Sequence, residues 1–305
     1  MRVQFKNILC ATDFSEYSNH TVVYGVELAK EFEAGLIICH VIDLSSIAIY
    51  GEFQLEPVEQ QNRIMADARA QLDKLVGEQP IEWEPLITVG KPADEITQVV
   101  EERDIDLVIT ATRRRSGFKR LILGSLTERL MRTLACPLLV VCSPGREIGT
   151  TPEQPIRLRK ILVGCDFSPD SDQAFAHGLS LAQEFEAELH LAHVIEPPVQ
   201  PNLIHVETVI SGEIQEDHRN LLIEKLKEMV PAEAANWCTP QITIMEGQPY
   251  HELVKYADTR DIDMIVLGVR GHGLVKTLFL GSTTDRVIRN STCPVLSVSS
   301  KVRLD

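Results

Sequence analysis

The 305-residue sequence repeats itself once, and this constrains its fold more than any other feature. The segment Leu28-Ala29-Lys30-Glu31-Phe32-Glu33-Ala34 returns as Leu181-Ala182-Gln183-Glu184-Phe185-Glu186-Ala187, at an offset of 153 (181 minus 28). Further along, Arg103-Asp104-Ile105-Asp106-Leu107 returns as Arg260-Asp261-Ile262-Asp263-Met264, and Ala135-Cys136-Pro137 as Thr292-Cys293-Pro294, now at an offset of 157 (260 minus 103). A short insertion in the middle of the second copy accounts for the difference. Each copy is the length of a whole domain, far above solenoid periods, so the repeat is a duplicated fold. The expected division is residues 1–145, a Gly-, Pro- and Thr-rich linker at 146–157, and residues 158–305.

Within the first copy, apolar runs alternate with amphipathic ones. Strands are expected at 8–11, 36–42, 83–89, 107–111 and 138–142, and helices at 16–33, 57–76, 92–103 and 125–134, with long loops at 43–56 and 112–124. Short strands apolar on both faces require cover on both sides, which implies a mostly parallel sheet between helical layers: a doubly wound α/β domain in each copy. In such sheets ligands sit outside the carboxyl ends of the strands, where the winding reverses. The aspartate after the first strand and the loop after the fourth belong to that place.

In the second copy this loop reads GVRGHGLVKTLFLGST, residues 268–283, and follows the apolar run Met264-Ile265-Val266-Leu267. Glycines stand where the strand enters the loop and where the loop enters a helix. Backbone without Cβ atoms closes on a ligand, and free N–H groups at a helix start attract phosphate. Two residues separate Gly268 from Gly271, and nine separate Gly271 from Gly281. That spacing fits neither the dinucleotide fingerprint nor the P-loop, since no lysine follows the second glycine.

A formal net charge of −14 and a pI near 5.1 argue against a nucleic-acid backbone or an anionic membrane as the main partner. The N-terminal stretch has no signal-peptide core and no apolar run is long enough to span a bilayer, so the expected location is the cytoplasm. Seven cysteines without a Cys-x-x-Cys pair read as reduced core residues.

The chain resembles the universal stress protein family in its tandem form. The resemblance rests on Gly268, Gly271, Gly281 and Ser282 at the family's nucleotide-motif spacing, with Asp166 after the first strand, His193-Val194 ending the second, and Cys293-Pro294 before the last. It implies a five-stranded sheet of order 3-2-1-4-5 in each domain, with ATP, accompanied by Mg²⁺ or Mn²⁺, across the ends of the first and fourth strands. It also implies nucleotide-dependent regulation in stress adaptation. Asp166 would then hydrogen-bond the ribose and the Val194 backbone would face adenine. Gly268 and Gly271 would admit ribose and phosphates, and Gly281, Ser282 and Thr283 would hold phosphate oxygens, with His272 and Gly273 in the same loop. Read without the resemblance, Asp166 with Ser168-Pro169-Asp170 is a helix-start signature, Ser282 an N-cap, and His272 a solvent-exposed side chain.

The first copy departs from this pattern. Asp13, Val41, Gly124 and Ser125 persist, but Ala111 stands in the place of Gly268 and Arg114 in that of Gly271. A positive φ at the second glycine would make any side chain there cost about 1 kcal/mol or more, and arginine adds bulk where phosphates would lie. ATP is therefore expected in the second copy only. Arg113-Arg114-Arg115 with Lys119 and Arg120 reads either as an altered site for another anionic ligand or partner, or as a solvated loop. Neither copy offers a nucleophile–base arrangement, so weak ATP hydrolysis would rest on metal, loop N–H groups and water. The alternatives to a nucleotide-dependent regulator are a slow hydrolase and an interaction scaffold. Residues 138–142 and 295–299 are expected to pair between the copies as the last strands of single-domain relatives do across a dimer, with further homodimerisation left open.

Overall fold

The computed structural model describes residues 3–43, 57–113, 124–143, 158–197, 212–238, 240–271 and 281–300. Five apolar runs of the first copy form parallel strands β1 (Asn7–Ala11), β2 (Gly35–Ile42), β3 (Trp83–Val89), β4 (Leu107–Arg113) and β5 (Leu138–Ser143), in the spatial order β3-β2-β1-β4-β5. The second copy repeats the arrangement with β6 (Lys160–Gly164), β7 (Glu188–Ile195), β8 (Gln241–Glu246), β9 (Met264–Gly268) and β10 (Val295–Val298), in the order β8-β7-β6-β9-β10. Tandem doubly wound α/β units are thus the architecture. Strand β4 runs to Arg113, two residues past the expected end at Ala111, because its ladder with β5 continues through Thr112–Cys142 and Arg113–Ser143. All of the expected loop at 43–56 but its first residue, most of the one at 112–124, and the linker at 146–157 lie outside the described residues.

The last strands of the two copies meet. β10 pairs antiparallel with β5, with Val295 opposite Val140 and Ser297 opposite Leu138, so that all ten strands form one sheet. The Ser297 hydroxyl donates to the Leu138 carbonyl across this seam at 3.1 Å.

Among the described residues, eight α-helices cover the sheet: α1 (Glu16–Phe32), α2 (Pro57–Val76), α3 (Pro92–Glu102), α4 (Ser125–Thr133), α5 (Pro169–Glu184), α6 (Gly212–Met229), α7 (Pro249–Arg260) and α8 (Ser282–Asn290). Their starts follow from local chemistry. Ser15 and Ser168 cap α1 and α5 by accepting the N–H groups of Ser18 and Ser171, and proline fixes the first turn of α3, α5 and α7. Helices α1, α2, α5 and α6 enclose one core, which joins Ile8, Leu36 and Leu139 to Val163, Leu189 and Leu296. Helices α3, α4, α7 and α8 enclose the other, which joins Leu9, Val108 and Leu138 to Leu162, Ile265 and Val295. Each core therefore runs through both copies, and each fully buried aliphatic side chain contributes about 2 kcal/mol of transfer free energy.

The paired aspartates before the fourth strand of each copy serve this frame. Asp106 Oδ2 accepts the N–H groups of Lys6 and Asn7, and Asp263 Oδ2 those of Arg159 and Lys160, fixing each copy's first strand to its helix-to-strand connection. All seven cysteines are buried thiols. No helix among the described residues is long and apolar enough to cross a membrane.

Candidate functional site

At the carboxyl end of β6 the chain turns through Asp166-Phe167-Ser168 into α5. Phe167 adopts φ 62°, a left-handed conformation that costs a non-glycine residue about 1 kcal/mol or more. Its ring lies 5.0 Å from that of His193 and beneath the Lys225 ammonium, also at 5.0 Å. His193 Nδ1 is 2.7 Å from the Cys165 carbonyl, and Asp166 Oδ1 accepts the Ser168 N–H at 3.0 Å. The first copy builds the same turn: Phe14 has φ 60° and packs on His40, whose Nδ1 meets the Thr12 carbonyl at 2.9 Å. There Asp13 Oδ1 accepts both the Ser15 N–H and the Ser18 hydroxyl. Repetition in both copies marks the turn as part of the fold rather than of one site.

The carboxyl ends of β6, β7 and β9 surround a cavity of about 440 Å³. Asp166, Val194, Gly268, Gly271, Gly281, Ser282 and Thr283 all line it, so seven residues singled out in the sequence come together, joined by His193, Glu196, His218, Arg270 and Thr284. Gly281, the residue preceding α8, carries no side chain to cap that helix, and Ser282 and Thr283 bring its first turn to the cavity wall. The first N–H groups of a helix lack intrahelical partners and carry the positive end of its dipole. His272 and Gly273 lie outside the described residues.

The three glycines are needed for different reasons. A Cβ at Gly268 would stand 2.7 Å from the Asp170 carbonyl carbon and 2.8 Å from the Ser171 nitrogen, so glycine there lets β9 approach the backbone of α5. A Cβ at Gly281 would meet the Val269 carbonyl oxygen at 2.7 Å, where the Gly281 N–H already donates at 2.9 Å. A Cβ at Gly271 would press on the Asp166 carboxylate, the far end of a side chain that lines the cavity. The left-handed conformation considered for Gly271 from the sequence is not adopted, and Asp166 rather than φ opposes a side chain there.

Two residues that hold this wall were not found from the sequence. Asp170, in the first turn of α5 and only 4% exposed, accepts the N–H of Arg270 through Oδ2 and that of Ser300 through Oδ1, each at 2.9 Å. Thr284 donates its hydroxyl to the Gly268 carbonyl at 2.6 Å. An acid two residues after a capping serine reads as an ordinary helix start, and its partners lie 100 and 130 residues away.

In the first copy the corresponding cavity measures about 220 Å³, lined by Asp13, Tyr17, Val41, Ala111 and Leu126 among others. By the two repeat offsets Tyr17 takes the place of Asp170, Ala11 that of Gly164, and Leu126 that of Thr283. Gly124 and Ser125 again start an uncapped helix, α4, whereas Arg114 lies outside the described residues. Beyond the two lost glycines, the first copy has thus exchanged a carboxylate for a phenol and a hydroxyl for an isobutyl group.

Doubly wound α/β domains fused through their last strands, each with an aspartate closing its first strand and Gly-Ser opening its last helix, define a class of duplicated α/β protein. The model of the universal stress protein family matches residues 4–141 and again 157–299, and the chain belongs to that family. A universal stress protein of Synechocystis is 23% identical over 315 residues, covering 96% of this chain and 99% of its own. One of Methanocaldococcus jannaschii is 29% identical over 148 residues, 47% of this chain and 85% of its own length. The crystal structure of a universal stress protein from Archaeoglobus fulgidus superposes with a TM-score of 0.72 at 21% identity, covering 98% of this chain and all of that one, which speaks for the fold.

Proposed function

We propose that the second copy binds ATP in its 440 Å³ cavity and that the chain acts as a nucleotide-dependent regulator of a stress response. One observation carries the reading: the uncapped first turn of α8 and the Asp166 carboxylate line the same cavity at the switch in strand order. The volume falls within the range of roughly 300–1,000 Å³ usual for small-molecule sites. Asp166 would accept the ribose hydroxyls, the Val194 backbone would meet the adenine edge, and Gly281, Ser282 and Thr283 would donate to phosphate oxygens. A divalent cation would neutralise the phosphates and arrive with them. The smaller first-copy cavity, with Leu126 in the place of Thr283 and Tyr17 also in its wall, would not take ATP. The formal charge of −14 disfavours nucleic acid or an anionic membrane surface as the main partner.

Calorimetric titration of the intact chain with Mg-ATP tests this. Saturable binding with one site per chain is expected, weakened at least about tenfold by Asp166→Asn through loss of a charge-assisted hydrogen bond. No saturable binding, or two equal sites, would overturn the reading.

A further inference from the structure

We infer that Asp170 is the positioning residue of the second-copy site, a buried clamp that holds the nucleotide loop to the end of the last strand. The inference rests on the ATP reading above. Arg270, the residue just before Gly271, is gripped through its backbone N–H by Asp170 Oδ2 at 2.9 Å. The other oxygen of the same carboxylate takes the N–H of Ser300, two residues past β10, also at 2.9 Å. The Arg270 side chain closes the arrangement: Nε lies 3.4 Å from Asp170 Oδ2, and Nη2 donates to the Ser299 hydroxyl at 2.8 Å. The neighbouring Ser168 hydroxyl donates to the Arg270 carbonyl at 3.2 Å, and Val269 N–H to the Val298 carbonyl at 2.8 Å.

One carboxylate at the start of α5 thus satisfies backbone donors on two segments. A buried carboxylate fully occupied by backbone N–H groups and a guanidinium makes short, charge-assisted bonds that define position as well as energy. The position defined is that of Gly271, where an added Cβ would press on the end of the Asp166 side chain. A shift of a few tenths of an ångström in Arg270 moves the loop backbone against the carboxylate assigned to the ribose. In the first copy the clamp position is Tyr17, which cannot hold two N–H groups with one charged head, and there the cavity is half the size.

The test compares Asp170→Asn with Asp172→Asn in the intact chain. Both remove one negative charge from the first turn of α5, but Asp172 is exposed and its side chain holds no loop residue among those described. Hydrogen exchange of the free protein should show faster exchange at the Arg270 and Ser300 amides in Asp170→Asn, with β6 and β9 amides unchanged. Mg-ATP titration should show affinity at least about tenfold weaker for Asp170→Asn and within about twofold of the parent for Asp172→Asn. Equal loss in both variants, unaltered exchange at Arg270 and Ser300, or unaltered affinity in Asp170→Asn would each overturn the clamp. Absence of ATP binding in the parent chain would instead sink the ATP reading, a result separate from any difference between variants.

Discussion

Glycine at 268 and glycine at 271 answer to different neighbours, so substituting them has separable outcomes. Gly268→Ala drives a methyl into the backbone of α5, which cannot yield without moving the helix. The expected cost is about 1–3 kcal/mol of stability, read from the urea midpoint, as for other overpacked sites. Gly271→Ala meets only the end of the Asp166 side chain, which can rotate away. Stability should change by less than about 0.5 kcal/mol while Mg-ATP affinity falls, and the reverse pattern would refute these assignments. The glycine spacing alone did not separate the two, because the atoms that decide are contributed by the β6–α5 turn and the first turn of α5, some hundred residues earlier. Asp166, Val194, Ser282 and Thr283 were legible because strand-end and helix-start positions follow from local pattern. Asp170 and Thr284 were not, since their partners become neighbours only when the sheet closes.

At the scale of elements, the alternation of apolar and amphipathic runs gave nearly every described strand and helix to within a residue or two, and the repeat supplied a second reading of each. The misplaced boundary, the end of β4, was set by pairing with β5 rather than by local sequence. Helices α1 and α5 approach each other across the two copies: Phe32 meets Phe185 with ring centroids 6.5 Å apart and meets Phe5 at 5.0 Å. The repeated Glu-Phe-Glu segments therefore bring acids together. Desolvation and then the carboxylates of Glu184, Glu27 and Glu186 push the Glu31 carboxyl above its ordinary 4.5. A raised folded-state pKa means the native chain takes up the proton first as pH falls, so the repulsion is present at neutral pH and relieved on acidification through that window. Glu31→Gln should raise the unfolding temperature slightly at pH 7, and calorimetry should find the gain shrinking as pH falls and gone well below pH 4.5; a gain unchanged by acidification would exclude this cause.

For the whole molecule, cores shared between copies and a continuous sheet predict a single cooperative unfolding event. The two tryptophans report on it separately, Trp83 opening β3 in the first copy and Trp237 preceding β8 in the second. Single-tryptophan variants Trp83→Phe and Trp237→Phe should give urea fluorescence transitions with coincident midpoints, once corrected for each variant's own stability by far-ultraviolet circular dichroism. Midpoints that differ within one variant between fluorescence and circular dichroism would show that the halves unfold independently.

The antiparallel junction of β5 with β10 carries a further consequence. Because every other pairing is parallel, the carboxyl ends of the first copy's strands point one way along the sheet and those of the second point the other. The two cavities open at opposite ends of the molecule. In a dimer of identical chains any mutation appears at both ends at once, and each end must remain what the other is. Covalent fusion lifts that obligation: Tyr17 and Leu126 could arise at one end while Asp170 and Thr283 stayed at the other. The duplicated chain thereby has a head and a tail, and whatever meets it in the cell can tell which it has met.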